Sequence, residues 1–574
     1  MKQFWKMLLA VVCGIILVNA LIIFLFVGVA GSSASGGKTA LPKEGVLAID
    51  LSEVTLTEQE TPVNPMAMVQ GQQQVSLGIH KAVQAIEAAA TDPGVKYIYL
   101  RSDGNLSGLS AITTLRQALE GFRRSGKAVV AWTEQPGAGT FFLNSVADKI
   151  YMSAYQGANG SLNGLCAQSF YLKDLLDKAG VQMQLIRHGK YKSAGEMYVR
   201  NAPSEENKEQ YQRMVDSMWE SIGTVIAGSR GISMQDLDRM VDGLELCLPE
   251  DYLKAGLVDA LYTREELKEQ LTALAVKSSF KDVKFIPFAD YANTKVIPDF
   301  RSRNRIAVIY ADGEIIDGND PVANVAGDRF ASIIDKVRAD DGIQAVVLRV
   351  NSPGGSVLAS EKIKHELDLL GQKVPLIASY GDYAASGGYW ISNNCSKIFS
   401  DATTLTGSIG VFGMIPDASK ALKNVLHVGS WSAKSHKHAD MMRLTRPFDQ
   451  AEYNFMLRSI ETIYDKFTAI VAEGRNMEQS KVDEIGQGRV WTGADALKLG
   501  LVDEIGTLED AIRYAASAIG ADSWQVLEYP KPLTGMEYFL QTLGQNQEHN
   551  YVKAFQKLTE PSVIARMPYQ VVVF

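Results

Sequence analysis

The 574-residue sequence is short of the residues that most often announce chemistry. It has only 4 cysteines, and Cys13, Cys166, Cys247 and Cys395 are scattered singly. No C-x-x-C pair occurs, which argues against a zinc ribbon or a thiol redox motif. A chain this long can bury its own core, so no disulfide framework is required. The 7 histidines are equally dispersed. His436 and His438, in KSHKHAD, come nearest to a cluster, but a spacing of two does not share a helix face. No orienting carboxylate motif surrounds them, so a polar loop is the preferred reading. There is no G-x-S-x-G nucleophile elbow, which argues against an α/β-hydrolase. No long basic run appears, and a net charge of −8 with a pI near 5.6 disfavours nucleic acid as a partner.

Long apolar runs are also scarce, with one exception. Met7 to Ala30, MLLAVVCGIILVNALIIFLFVGVA, carries no charge and one strongly polar side chain, Asn19. A helix needs about 20 such residues to cross a bilayer. A signal-peptide core is shorter, about 7–15 residues, so residues 7–30 read as a retained transmembrane anchor. Lys2 and Lys6 precede it and place the N-terminus in the cytoplasm. The chain beyond is then expected outside the cytoplasmic membrane, after a tether of small and polar residues at 31–43, GSSASGGKTALPK.

With 46% hydrophobic and 21% charged residues, the remainder is folded rather than disordered, and its length calls for more than one domain. Two halves resemble one another. DPGVKYIYLRSDG and VADKIYMS in the first answer to DDGIQAVVLRVNSPGG and CSKIFSDA in the second. Gly94 and Gly342 are 248 positions apart, as are Lys149 and Lys397. Each half closes on the same phrase, LKAGLVDAL and LKLGLVDEI. Two homologous domains, 44–270 and 300–515, are therefore expected, followed by a tail at 516–574. β-Branched runs such as AVVAW, IAVIY and AVVLRV alternate with amphipathic stretches, in which Ile363, Leu367 and Leu370 keep helical spacing. Such alternation predicts βαβ units, a largely parallel sheet and ligand sites beyond the strands' C-terminal ends.

Two loops at those ends are informative. AVVLRV is followed by Asn351-Ser352-Pro353-Gly354-Gly355-Ser356, where paired glycines let backbone N–H groups approach a ligand. PLIASY is followed by Gly381 to Trp390, GDYAASGGYW, in which Ser386 precedes a predicted helix at ISNNCSKI. A glycine loop beside a serine at a helix start is the arrangement an oxyanion hole requires.

NSPGGS together with AASGGYW and TGSIGVFG at 406–413 closely resembles the signal peptide peptidase A (protease IV) family, from the anchor to about residue 515. The resemblance implies a Clp protease and crotonase-like fold in both halves. It implies that Ser386 is the nucleophile, and that Lys192 of Tyr191-Lys192-Ser193-Ala194 in the other half is its general base. Gly355 and Gly387 would be the oxyanion donors, and Ser408 would orient the lysine. It further implies cleaved signal peptides and other hydrophobic peptides as substrates, a homo-oligomer (a tetramer), and a catalytic body on the outer face of the bacterial cytoplasmic membrane. No cofactor, metal or ATP is called for.

The duplication offers a cross-check. Position 138 in the first half is alanine, and Leu106 and Ser107 stand where the second half has Gly354 and Gly355. Aligning Gly189 with Gly429 puts Ser432 opposite Lys192. Each half thus keeps a different part, and one composite site per chain is the economical reading. A lysine acts as a base near neutrality only if burial lowers its pKa from about 10.4. Lys192 is therefore expected in an apolar cleft with hydroxyl neighbours, Glu196 pointing elsewhere and Lys190 facing solvent or substrate. A crotonase-like acyl-CoA enzyme would need neither Ser386 nor Lys192, and a silent membrane scaffold would be expected to have lost one of them.

Overall fold

The computed structural model of the chain describes residues 41–60, 75–104, 107–299, 301–320, 325–532 and 562–567. The anchor expected at 7–30, most of the tether at 31–43 and Leu106 lie outside the described residues. Among the described residues no helix is long and apolar enough to cross a membrane.

Each half is built on a parallel sheet of the same strand order. In the first, the order is Ala260–Tyr262, Lys149–Ser153, Val129–Thr133, Val95–Arg101, Gly45–Asp50 and Phe285–Pro287. In the second, it is Glu504–Ile505, Lys397–Ser400, Leu376–Ala385, Ile343–Ser352, Arg305–Asp312 and Gln525–Tyr529. All of these neighbours pair parallel. The runs read as strands from the sequence form the centres of these sheets. Their continuous apolarity follows from cover on both faces, which leaves Val346, Val347, Leu348 and Val350 fully buried. The outer strands Phe285–Pro287 and Gln525–Tyr529 come from beyond residues 270 and 515, so each sheet closes with a segment that follows the repeated unit. Both are too short or too half-buried to carry a clear period.

The crossover helices obey the 3.6-residue period. Leu109–Arg124 buries Leu109, Ile112, Leu115, Leu119 and Phe122, and Val357–Gly371 buries Val357, Ile363, Leu367 and Leu370. Each half also carries one 26-residue helix, Glu205–Arg230 and Gln450–Arg475. Ser204 caps the first by accepting from the Asn207 N–H, and Asp449 caps the second by accepting from the Glu452 N–H. Both end on a left-handed residue, Gly231 and Asn476.

One buried apolar cluster runs through both halves, from Leu100, Ile112 and Leu115 to Val308, Val347 and Ile512. A smaller sheet crosses between them: Val325–Ala326, Ile315–Ile316, Gly354–Ser356, Ser562–Arg566, Phe412–Asp417 and Gln182–Arg187, in that order. In it Gln182–Arg187 of the first half pairs antiparallel with Phe412–Asp417 of the second, Arg187 opposite Phe412. That pairing delivers the segment after Arg187 to the second half.

Candidate active site

Ser386 sits at the reversal between strand Leu376–Ala385 and helix Gly387–Ser392, with φ +54° and ψ −112°. This region is sparsely populated by residues with a Cβ, so the turn is strained and must be held by its surroundings. The Ser386 N–H donates to the Gly407 carbonyl at 2.8 Å, and the Trp390 N–H to the Ser386 carbonyl at 2.8 Å. The following aromatics anchor the helix: the Tyr389 hydroxyl donates to the Leu501 carbonyl at 2.8 Å, and Trp390 packs on Phe467 with centroids 4.5 Å apart. The helix therefore begins directly after Ser386, ahead of the ISNNCSKI stretch, because burial of Tyr389 and Trp390 outweighs the weak helix propensity of Gly387 and Gly388.

Gly387 lies against the other glycine loop. A Cβ added there would come within 3.1 Å of both Gly354 Cα and Gly355 N, and 2.8 Å of Ser360 Oγ. Gly355 has φ +157°, and a Cβ on it would fall 1.9 Å from the Ile315 carbonyl oxygen. The two sequence-predicted donors are thus neighbours beside Ser386, in a spot only glycine can occupy.

Lys192 arrives from the other half. Its Nζ donates to Ser386 Oγ at 2.8 Å, to Ser408 Oγ at 3.0 Å and to the Ser408 carbonyl at 3.1 Å. Lys192, Ser386 and Ser408 are each 0% exposed. Burial alone holds the Lys192 amine well below its ordinary pKa, with no charged neighbour acting on it among the described residues. Glu196 turns away: it accepts from the Ser204 hydroxyl at 2.7 Å and from Arg187 at 3.1 Å. Ser408 is itself left-handed, at φ +49°, and its N–H donates to the Arg489 carbonyl at 2.7 Å.

Several residues that hold this arrangement carry no motif. Gly488, at φ +80°, lets the Lys192 backbone pass, since a Cβ there would meet Lys192 Cα and N at 2.6 Å. A Cβ on Gly410 would meet Lys192 Cδ at 3.1 Å. The Gln210 side chain donates to Ser193 Oγ at 3.0 Å and accepts from the Val490 N–H at 3.0 Å, tying the lysine segment to the second half. Arg187 donates to the Lys192 carbonyl at 2.7 Å. Of these, Gly410 alone falls in a stretch the sequence singled out, as the last residue of TGSIG, whereas Gly488, Gln210 and Arg187 carried no signal.

The remaining sequence candidates lie elsewhere. Lys190 is exposed, its ammonium 5.1 Å from the Tyr191 ring centroid. His436 is exposed beside Ser435, and His438 lies 2.9 Å from Glu452 Oε1, a carboxylate 14 positions on that the local motif did not show. His438, Asp449 and Glu452 bring ligand atoms within 4.8 Å of one another. Both Glu452 oxygens accept from Arg446, however, which supplies the positive charge an ion would bring. In the first half, helix Ala138–Asn144 is capped by Gly137, so the helix start sets Gly137, not Ala138, opposite Ser386. Ser107 donates to the Leu56 carbonyl at 2.6 Å, and Ser432 is exposed.

A buried serine hydroxyl 2.8 Å from a buried amine, at the strand ends of a duplicated parallel α/β fold, is a site of the kind serine hydrolases use. Comparison with known proteins narrows this. The family model for peptidase family S49 matches twice, at residues 121–277 and 368–522, once in each half. Protease 4 of Haemophilus influenzae is 34% identical over 523 residues, 85% of this chain and 82% of that protein. Protease 4 of Salmonella typhi is 33% identical over 547 residues, 92% of this chain and 87% of that one. The chloroplastic serine protease SPPA of Arabidopsis thaliana is 28% identical over 469 residues, 79% and 68% of the two chains. Among solved structures, a mutant ClpP1 from Listeria monocytogenes covers 36% of this chain and 94% of its own at 13% identity, with a TM-score of 0.24. The chain belongs to peptidase family S49 and is a serine-type peptidase.

Proposed function

We propose that the protein is a membrane-anchored endopeptidase in which Ser386 is the nucleophile and Lys192 its general base, degrading cleaved signal peptides and other hydrophobic peptides at the outer face of the cytoplasmic membrane. The observation that carries the dyad is the 2.8 Å contact between Lys192 Nζ and Ser386 Oγ, with burial as the one influence on the lysine's pKa. In its neutral form the amine uses the same contact in reverse and accepts the Oγ proton as Oγ attacks the peptide carbonyl. The carbonyl oxygen, now negative, lies against the N–H groups of Gly355 and Gly387. The lysine then returns the proton to the leaving amine, and a second cycle with water releases the acyl group. Ser408 holds the ammonium form through hydrogen bonds to its hydroxyl and carbonyl while the lysine carries the proton. The apolar N-terminal run and the relatives named Protease 4 support the membrane and peptide parts of this reading.

Cleavage of a hydrophobic reporter peptide by the wild type, Ser386→Ala and Lys192→Ala tests it. Each substitution is expected to lower kcat about 10³-fold or more. In the wild type, kcat/KM should rise with pH and level off well below the ordinary lysine pKa of about 10.4. Undiminished activity in either variant removes the dyad, and a rise governed by a group near 10 removes Lys192 as base.

A further inference from the structure

One residue of the second half holds both the lysine segment and the serine that meets its amine. Arg489 lies just ahead of strand Val490–Thr492, with its own N–H donated to the Gly486 carbonyl at 2.9 Å. Its carbonyl accepts from the Ser408 N–H at 2.7 Å, which places the serine whose hydroxyl and carbonyl meet Lys192 Nζ. Its side chain, 16% exposed, reaches the first half. The guanidinium carbon stands 4.6 Å from the centroid of the Tyr191 ring, and Nη1 donates to Tyr191 Oη at 3.1 Å. Nη1 also lies 2.9 Å from Glu209 Oε1, and Tyr191 Oη donates to Glu209 Oε2 at 3.0 Å, which closes a triangle of three side chains. The same guanidinium carbon is 4.3 Å from the centroid of Trp491, in its own half. Trp491 is held in turn: its Nε1 donates to the Ile485 carbonyl at 2.9 Å. It also pairs with Thr406, on the strand whose Gly407 carbonyl accepts from the Ser386 N–H.

Tyr191 immediately precedes Lys192, so whatever fixes the tyrosine fixes the point from which the lysine side chain sets out. A lysine stem is flexible, and its compact head group does not by itself define a direction. One backbone bond, from the Tyr191 N–H to the Gln487 carbonyl at 2.9 Å, ties this point to the second half but leaves rotation about itself. The Tyr191 side chain opposes that rotation, because Arg489 holds both its ring and its hydroxyl. Arginine suits the place: it is a plane that stacks on aromatic faces and a fork of donors in fixed directions, whereas lysine is a point charge without a plane. The contact to Ser408 and the contact to Tyr191 leave from the same residue. The spacing between the base and the serine that holds it is therefore set at one place.

We infer that Arg489 is a positioning residue for the reaction: its guanidinium, stacked on Tyr191 of one half and Trp491 of the other, sets the reach of Lys192 to Ser386. This rests on the reading of Lys192 and Ser386 as base and nucleophile and adds to it the group that fixes their spacing. Its plane matters more than its charge, since burial is the one influence acting on the Lys192 amine.

Arg489→Lys and Arg489→Met, beside the wild type, test this. Both should lose kcat on the reporter peptide about a hundredfold, the cost of displacing a reacting pair by about 1 Å, with KM within about threefold. The pH at which kcat/KM is half-maximal should move up towards about 10.4, because a lysine released from its pocket regains water. A role confined to holding the fold together would lower the melting temperature and the active fraction but leave that midpoint in place. Wild-type kcat in Arg489→Lys overturns the proposal, and so does a loss of kcat with an unmoved midpoint. Tyr191→Leu removes the ring from the other side; combined with Arg489→Met it should cost no more than either change alone, and losses that multiply overturn the clamp. Should an arginine variant fail to fold, Tyr191→Leu carries the same expectations for kcat, KM and midpoint. Titration of the Lys192 amine by NMR, in full-length chains with 13C at the lysine Cε and the resonance identified by its loss in Lys192→Met, reads the clamp without hydrolysis. A midpoint raised in Arg489→Met supports the clamp even if no chain cleaves the reporter, an outcome that would sink the peptidase reading alone. An unchanged midpoint sinks the clamp and leaves the peptidase reading standing.

Discussion

Lys192 would rather not be where it is. Among the described residues its fully buried amine meets two hydroxyls and a carbonyl and no counter-ion, so the protonated form has lost its water without gaining a partner charge. Its pKa in the folded chain lies well below the value of about 10.4 expected in the unfolded chain. Between those two values the unfolded chain binds the extra proton, so stability rises with pH across that window and is lowest below it. Lys192→Met fills the same volume without a charge. It is expected to abolish activity while raising the urea midpoint at pH 7, with the gain fading as pH approaches about 10.4. Urea titrations at several pH values up to that point check this, and a difference independent of pH would refute it. The need for such an environment was legible in the sequence, because a lysine proposed as a base has no other way to be neutral near pH 7. The side of GKYKS that supplies it was legible only through the motif register, and the residues that exclude the water were not. Gly488 stands far along the chain from Lys192, in the other half, and nothing local marks it.

Between residue and domain, the loop at 486–489, just ahead of strand Val490–Thr492, does the positioning. Gly488 donates its N–H to the Ile409 carbonyl at 2.7 Å, Gln487 accepts from the Tyr191 N–H at 2.9 Å, and the lysine backbone threads between them. Gly488→Ala places a methyl 2.4 Å from Lys192 Cβ at a left-handed backbone angle of +80°, so the lysine segment must shift. A displacement of about 1 Å at a reacting pair costs about a hundredfold in kcat, with KM little changed. Gly228→Ala is the matching control. It lies in helix Glu205–Arg230 with nothing within 4 Å of the new methyl, and should stabilise by about 0.4–1 kcal/mol with normal kcat. Steady-state kinetics and thermal melts on the two variants separate the effects, and a normal kcat in Gly488→Ala would show that the loop does not set the lysine. The central strands and both long helices could be read from apolar runs, caps and spacing. The crossing sheet could not, because its strands are two to six residues long, lie far apart in sequence, and are defined by which edges they find rather than by any period.

At the scale of the whole chain, duplication led the sequence reading to expect one composite site, and Lys192 of the first half does meet Ser386 of the second. What holds the halves in register was hidden. Arg349, 1% exposed, donates to both carboxylate oxygens of Glu58 at 2.7 and 3.0 Å, to Ser379 Oγ at 3.0 Å, and to Ser110 Oγ at 3.2 Å. Asp382 accepts from the Ser110 N–H at 2.9 Å, capping helix Leu109–Arg124 from the other half. Burial pushes the Asp312 and Asp382 carboxyls up to about 6, and the buried Arg349–Glu58 pair acts on both of them. Sequence reading cannot join Glu58 to Arg349 across 291 positions without a shared motif. Removing one partner of such a pair leaves an uncompensated buried charge and costs about 3–5 kcal/mol, whereas replacing both with apolar groups is often near neutral. Arg349→Met should therefore be strongly destabilised, and it should lose kcat as well, because strand Ile343–Ser352 leads into the Gly354–Gly355 loop and Arg349 donates to the carbonyl of Tyr380, on the strand that leads into Ser386. Glu58→Leu combined with Arg349→Met should recover most of the lost stability, measured as urea midpoints in a double-mutant cycle. If the recovered double variant also recovers kcat, apolar packing alone sets the alignment of Ser386 with Lys192. If stability returns and kcat does not, the fork of Arg349 fixes the angle between the halves, and the active site depends on a charge pair that touches neither of its reacting atoms.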